Sequence, residues 1–358
     1  MKIAIILGTR PEIIKMSPII RACQKMDIEF TLIHTGQHYS PNMDFIFFEE
    51  LELPKPDHNL HVGSKPYRKQ VGTMIHDLRA VLRKEKPSVV IVQGDTLTVL
   101  TGALAAEKEG VPLAHHEAGL RSHDLSMPEE TNRIITDHIS EVLFSPTADA
   151  HANLIEEGIP PEIIFQSGNT IVDAVLQNKR LARSEILDAL GLKPKEFILV
   201  TAHRAENVDN MQRLKQIAEA LKRIAEEHDL TIVFPLHPRT KKRLEEFGIA
   251  LDTRIKKTEP FGYLEFLTLE EHARLIITDS GGLQEEASIL RVPCVTIRDN
   301  TERPETVAAG MNIIAGVEPE SVIAAVREML TKDIAWSMPF GDGTAAIKIV
   351  KKLKELYG

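Results

Sequence analysis

One pattern constrains this chain more than any other: a short apolar run, a turn, then an amphipathic stretch, repeated from end to end. Apolar runs without polar alternation read as strands buried on both faces. A first series lies at residues 2–7, 30–35, 89–92, 112–115, 142–144 and 163–165. A second lies at 197–201, 231–234, 254–256, 275–278, 294–297 and 312–314. Stretches of helical period, such as 71–84, 210–227 and 320–330, separate many of them. Strand–helix alternation of this kind predicts an α/β chain whose parallel sheets are covered by helices on both faces.

Two strand series in 358 residues predict two Rossmann-like, doubly wound domains with a cleft between them. The expected division is 1–168 and 169–342, with the break at Gly168 and Asn169. Residues 343–358 are expected to hold a final helix, which the turn-rich stretch 339–343 is long enough to return to the first domain. The basic cluster Lys351, Lys352 and Lys354 reads as a solvated helix face near a negative dipole end.

Composition narrows the function classes. A net charge of −9 argues against a nucleic-acid surface, so any anionic ligand must find its positive potential locally. No run approaches the roughly 18 apolar residues of a membrane span, so no membrane partner is expected. The amino terminus MKIAIILGTRPEIIK reads as a buried first strand rather than a signal peptide, because charged residues follow its short apolar run at once. Cys23 and Cys294 form no disulfide framework, which points to a reducing cytoplasm. The chain lacks a Gly-x-Gly-x-x-Gly fingerprint, a phosphate loop ending in Gly-Lys, and His-Glu-x-x-His. No cofactor and no metal are therefore expected. His58 and His61 could meet on a helix turn but lack further ligands, and the adjacent His115 and His116 point to opposite faces of a strand.

Ligands of open α/β sheets bind beyond the carboxyl ends of the strands, at the point where strand order reverses. The residues following the strands are therefore the informative ones. In the first half they are Gly8-Thr9-Arg10, Gly36-Gln37-His38, Gln93-Gly94-Asp95-Thr96 and His116-Glu117-Ala118-Gly119. In the second they are Ala202-His203-Arg204, Leu236-His237-Pro238, Asp279-Ser280-Gly281-Gly282 and Arg298-Asp299. Nearly every one carries a chargeable side chain, often beside glycine.

The sharpest phosphate signal is the run from Thr278 to Glu286. Its two glycines let backbone approach a ligand, and the following helix offers free N–H groups. Glu285 or Glu286 is placed to accept from a ribose diol. Arg10 and Lys15, flanking the start of the first helix, are candidates for the local cations. Asp95, Glu117 and Glu129 form a carboxylate set, and clustered carboxylates push one another's pKa apart, so one can act as base while another holds a proton.

Taken together, GTRPEIIKMSP, TGQH, QGDTLT, HHEAGLRS, PEETNR, SGNTIVDA, TAHRAEN, LHP, TDSGGLQEEA, RDNTERPE and GDG resemble, in this order, the non-hydrolysing UDP-N-acetylglucosamine 2-epimerases. The resemblance spans residues 8 to 343 and implies the two-domain GT-B fold. It implies interconversion of UDP-GlcNAc and UDP-ManNAc without metal or nicotinamide, by elimination of UDP to a 2-acetamidoglucal and re-addition, and it suggests a homodimer. It implies Asp95, Glu117 and Glu129 as acid/base groups and His203 as support for the leaving diphosphate. Arg10, His237, Ser280, Gly281 and Gly282 would hold the phosphates, Glu286 the ribose, and Lys15 matches a basic position. Gln37, His38 and Arg68 match part of an allosteric UDP-GlcNAc pocket found in some bacterial members, though Tyr39-Ser40-Pro41-Asn42 departs from that pattern. A hydrolysing epimerase releasing ManNAc and an epimerase of a modified UDP-2-acetamido sugar are the alternatives. Further off stand a GT-B glycosyltransferase and a silent nucleotide-sugar sensor.

Overall fold

The computed structural model describes the chain apart from residues 38–40, 64–65, 183 and 333–337, and apart from the side chains of 41–45. Two compact units emerge: Met1–Gln177 with Phe340–Gly358, and Asn178–Pro339.

The first unit holds seven parallel strands: β1 (Lys2–Leu7), β2 (Glu29–His34), β3 (His58–Asn59), β4 (Val89–Gln93), β5 (Leu113–His116), β6 (Val142–Ser145) and β7 (Ile164–Gln166). Their order is β3-β2-β1-β4-β5-β6-β7, so the winding reverses between β1 and β4. β1 and β4 are buried almost throughout, as strands covered on both faces must be. The expected strands are all present, with ends shifted by one or two residues. β3 was not expected. It is a two-residue edge in which His58 bonds Glu85 at 2.8 Å, so His58 sits on a strand and not on the helix turn expected to bring it to His61.

The carboxyl-terminal helix Ala345–Tyr357 belongs to this unit and packs on helix Arg10–Lys25. Asp173 fixes its start: the buried carboxylate accepts from the N–H groups of Ala345 and Ala346 at 3.2 and 3.0 Å. That satisfies two of the amides every helix start leaves open. The unit's main chain therefore runs on through helix Thr170–Asn178, and the division falls after Gln177 rather than Gly168.

The second unit holds β8 (Phe197–Thr201), β9 (Thr231–Pro235), β10 (Ile255–Thr258), β11 (Leu275–Thr278), β12 (Cys294–Thr296) and β13 (Asn312–Ile314). All pair in parallel, in the order β10-β9-β8-β11-β12-β13, with the reversal between β8 and β11. Apolar side chains of Ile198, Val200, Phe234 and Ile277 meet those of helices Met211–Glu227 and Pro319–Thr331 on one face. Phe197, Leu199, Val233 and Ile276 pack on the other, the period-2 consequence of a sheet covered on both sides.

Candidate active site

Both reversal points gather the polar strand-end residues, and each is built differently. In the first unit Gly8 follows β1. A Cβ there would stand 2.0 Å from the Thr35 hydroxyl and 2.3 Å from that of Thr98, so only glycine lets the loops close up. Glu12, in the first turn of helix Arg10–Lys25, reaches back into this crowded spot. Its Oε2 accepts from the N–H groups of Gly8 and Thr9 at 2.6 and 2.8 Å, and its Oε1 accepts from the Thr96 hydroxyl. Burial pushes its pKa up to about 7, against the lowering effect of those donors.

Glu117, just past β5, is the most tightly held carboxylate of the expected set. It is 5% exposed and has φ +67°, left-handed backbone that an ordinary residue adopts only at some cost. Its Oε1 takes the Lys15 ammonium at 2.5 Å and the Asn169 amide at 2.9 Å, and its Oε2 takes the Gln93 amide. The donors come from three separate elements, so the carboxylate direction is over-determined.

Asp95 lies on the other side of Gly94 and is about one-third exposed. Its carboxylate pairs with Arg133, and its carbonyl accepts from the Asn132 amide at 2.8 Å. Behind it, buried His115 bonds the Gly94 carbonyl at 2.8 Å through Nε2 and Asp137 at 2.6 Å through Nδ1. Asp137 also meets Arg121 at 2.7 Å. His116 turns the opposite way, to the Thr170 hydroxyl at 2.9 Å, and burial pushes its pKa down to about 4. Opposite directions are what adjacent strand residues require.

Glu129 stands apart from this network. It is exposed on the first turn of helix Pro128–His138, whereas its neighbour Glu130 is buried and accepts from the N–H groups of Ser122 and His123 and from Arg133. Arg10 is exposed, its guanidinium 5.3 Å over the Phe47 ring. Gln37 spends its side-chain oxygen on the N–H and hydroxyl of Thr98, both at 2.8 Å. Arg68 is exposed on helix Tyr67–Glu85, and His38 lies outside the described residues.

In the second unit the organising group is Asp279, past β11 and fully buried. Its carboxylate accepts from the N–H groups of His203 and Arg204 and from the Asn207 amide, all at 2.9–3.1 Å. The loop after β8 is thereby pinned to the loop after β11. The His203 ring lies 3.3 Å from Asp279 through Nδ1 and 5.7 Å between centroids from His237. Burial lowers the pKa of His203, against the pull of Asp279, and that of His237 as well. Both imidazoles are thus biased toward the neutral form.

Ser280 stands at the N-cap position of helix Gly281–Ile289, and its side chain makes no capping hydrogen bond. A Cβ on Gly281 would meet only Glu302 at 3.5 Å, and one on Gly282 only Ser280 at 3.8 Å. Among the described residues nothing crowds these two glycines, and a helix start leaves its first amides open to an anion. Of the two acids that follow, Glu285 is paired with Arg303 at 2.7 Å. Glu286 accepts from the Tyr263 hydroxyl at 3.3 Å. Buried Glu270 lies beside it, with its pKa pushed well up by burial and then by Glu286.

Reading strand ends singled out Asp95, Glu117 and His203 as candidates, but not Glu12, Asp279 as a clamp, or Glu270. For Glu12 a signal existed: Thr9-x-x-Glu12 is a capping-box spacing. Asp279 was legible only as part of a phosphate loop, and Glu270 carried no sequence mark.

Known proteins resemble this chain along its length. The family model for UDP-N-acetylglucosamine 2-epimerase matches residues 21–354. The Methanocaldococcus jannaschii UDP-N-acetylglucosamine 2-epimerase is 56% identical over 99% of each chain. A crystal structure of the M. jannaschii UDP-GlcNAc 2-epimerase in complex with UDP-GlcNAc and UDP superposes with a TM-score of 0.88, at 55% identity, covering 99% of this chain and all of that one. A UDP-2,3-diacetamido-2,3-dideoxy-D-glucuronate 2-epimerase of Pseudomonas aeruginosa is 42% identical over 99% of this chain and the whole of its own. With its two parallel sheets in a GT-B-like fold and these matches along its full length, the chain belongs to the UDP-N-acetylglucosamine 2-epimerase family.

Proposed function

We propose that this protein interconverts UDP-GlcNAc and UDP-ManNAc by inverting C2, through loss of UDP to a 2-acetamidoglucal and re-addition. The C2 proton is not acidic beside an acetal carbon. Its removal becomes feasible only if a base acts while the departing diphosphate is stabilised. The observation that carries the reading is Glu117: a buried carboxylate, aimed by three donors from left-handed backbone, one residue past a strand.

Asp95, Glu117 and Glu129 form the acid/base set of this reading. Exposed Glu129 would join it only on contact with the sugar. Lys15 serves Glu117 by pairing with its carboxylate and fixing its direction, beyond any role toward phosphate. His203 supports the diphosphate, together with His237, Arg10 and the Ser280-Gly281-Gly282 helix start, where amides and dipole favour negative charge. Glu286 takes the ribose hydroxyls. No metal or nicotinamide enters it, so turnover should persist in EDTA. The two cysteines are buried free thiols, in keeping with the reducing cytoplasm expected. Light scattering on the purified protein tests the expected homodimer, and a monomeric mass removes it.

The deciding experiment is proton NMR of UDP-GlcNAc with purified protein in heavy water. UDP-ManNAc should appear, both nucleotide sugars should gain deuterium at C2, and free UDP should not accumulate. Equimolar ManNAc and UDP would instead mean hydrolysis. Unchanged UDP-GlcNAc, with turnover of the 2,3-diacetamido uronic acid analogue, would move the substrate to that of the Pseudomonas relative.

A further inference from the structure

We propose that Glu12 is a positioning residue: from the first helix it locks the Gly94-Asp95-Thr96 turn, and through that turn it aims the Asp95 carboxylate. The inference rests on the reading of Asp95 as an acid/base group. A helix start needs an acid near its open amides, and an exposed glutamate reaching back to Thr9 would meet that need. Glu12 does more. It is 2% exposed and spends one oxygen on Gly8 and Thr9, which follow β1, and the other on Thr96, which follows β4. Those strands are neighbours at the reversal of the first sheet. One side chain therefore ties together the two loops that flank the reversal.

The Thr96 hydroxyl is itself committed. Its oxygen caps helix Leu97–Glu109 by accepting from the Val99 N–H at 3.4 Å, which leaves its proton to point at Glu12. The rest of the turn is pinned residue by residue from other elements. His115 holds the Gly94 carbonyl, Asn132 the Asp95 carbonyl and Arg133 the Asp95 carboxylate. Gly94 has φ +85°, where few other residues settle, so the turn has little stiffness of its own and depends on these braces. Glu12 is the brace that comes from the β1 side. Burying a carboxyl whose pKa is thereby raised to about 7 is costly for a mere helix cap, and the link to Thr96 accounts for that placement.

The test compares Glu12→Ala, Glu12→Gln, Thr96→Val, Thr96→Ser and the Glu12→Ala/Thr96→Val double variant, with Asp95→Asn as reference. Displacing a reacting group by about an ångström costs on the order of 100-fold in rate. Glu12→Ala and Thr96→Val should each lower kcat about 10- to 100-fold, with KM for UDP-GlcNAc changed less than about threefold. Because both variants remove the same Glu12–Thr96 hydrogen bond, which the proposal holds to set the turn, the double variant should be no slower than the worse single one. Glutamine can accept from Gly8 and Thr9 and donate to Thr96, and serine keeps the hydroxyl, so both should recover most of the loss. If Glu12→Ala fails to fold, Thr96→Val against Thr96→Ser carries the same comparison. Wild-type kcat in Glu12→Ala or Thr96→Val beside a dead Asp95→Asn would overturn the proposal. So would additive losses, or Glu12→Gln as slow as Glu12→Ala. A fully active Asp95→Asn would instead overturn the role of Asp95, whatever Glu12 does.

Discussion

The two sheets reverse their winding in the same way, between β1 and β4 in one unit and between β8 and β11 in the other, yet their strand ends are furnished with opposite chemistry. In the first unit the strand-end carboxylates are each held by side-chain cations or amides: Glu117 by Lys15 and Asn169, Asp95 by Arg133. In the second, the carboxylate at the reversal, Asp279, is turned inward and spent on backbone amides, which leaves neutral-leaning imidazoles and a glycine-rich helix start on display. One architecture thus presents aimed negative charge in one place and an anion-receptive surface in the other. The difference lies in what each loop's carboxylate bonds, side-chain donors in one unit and mainly backbone amides in the other, and topology alone does not set that.

This contrast predicts that substitutions in the first unit strike turnover and those in the second strike binding and loop order. The largest effect is expected from Glu117→Gln. It keeps the shape but loses the charge, and should lower kcat about 1000-fold while calorimetry shows UDP affinity within about threefold of wild type. A matching loss of UDP affinity would erase the contrast.

Asp279→Ala comes next. Removing a buried acceptor of several hydrogen bonds should cost about 3 kcal/mol of stability, read in denaturant melts, and raise KM more than it lowers kcat. An unchanged melt would mean the loop after β8 does not depend on it.

A smaller effect is set by pH. Buried His116 has its pKa pushed from 6.5 down to about 4, so the unfolded chain binds its proton more readily. Its stabilisation is complete above pH 6.5 and is lost as pH falls toward 4, about 2 kcal/mol between pH 8 and 5. Urea midpoints across that range should therefore fall less steeply in His116→Gln than in wild type. Parallel curves would show that His116 is not the group responsible.

The smallest expected effect is that of Gln37→Ala, about 1 kcal/mol of stability from the lost bonds to Thr98. If UDP-GlcNAc activates this enzyme through Gln37, the same variant should also straighten a sigmoidal rate curve into a hyperbola. A hyperbolic wild-type curve removes activation altogether.

Much of this was readable along the chain. Apolar runs such as Val89–Gln93 and Leu275–Thr278 are strands because nothing but a doubly covered sheet can hide them, and the polar residues that follow them must then sit at the carboxyl edge. Sequence order alone therefore placed Asp95, Glu117, His203 and Ser280 at strand ends. The edge pair His58–Asn59 was missed because two residues carry no periodicity. Glu129 and Glu130 show where such reading stops: adjacent on one helix, both acidic, one exposed and one buried. The two are separated by about 100° of helical rotation, and only the packing of that helix within its unit decides which faces inward. The pairing of Lys15 with Glu117, the reach of Glu12 to Thr96 and the inward turn of Asp279 are likewise tertiary facts. Each joins groups far apart in sequence, through side-chain directions that exist only once the strands have found their order.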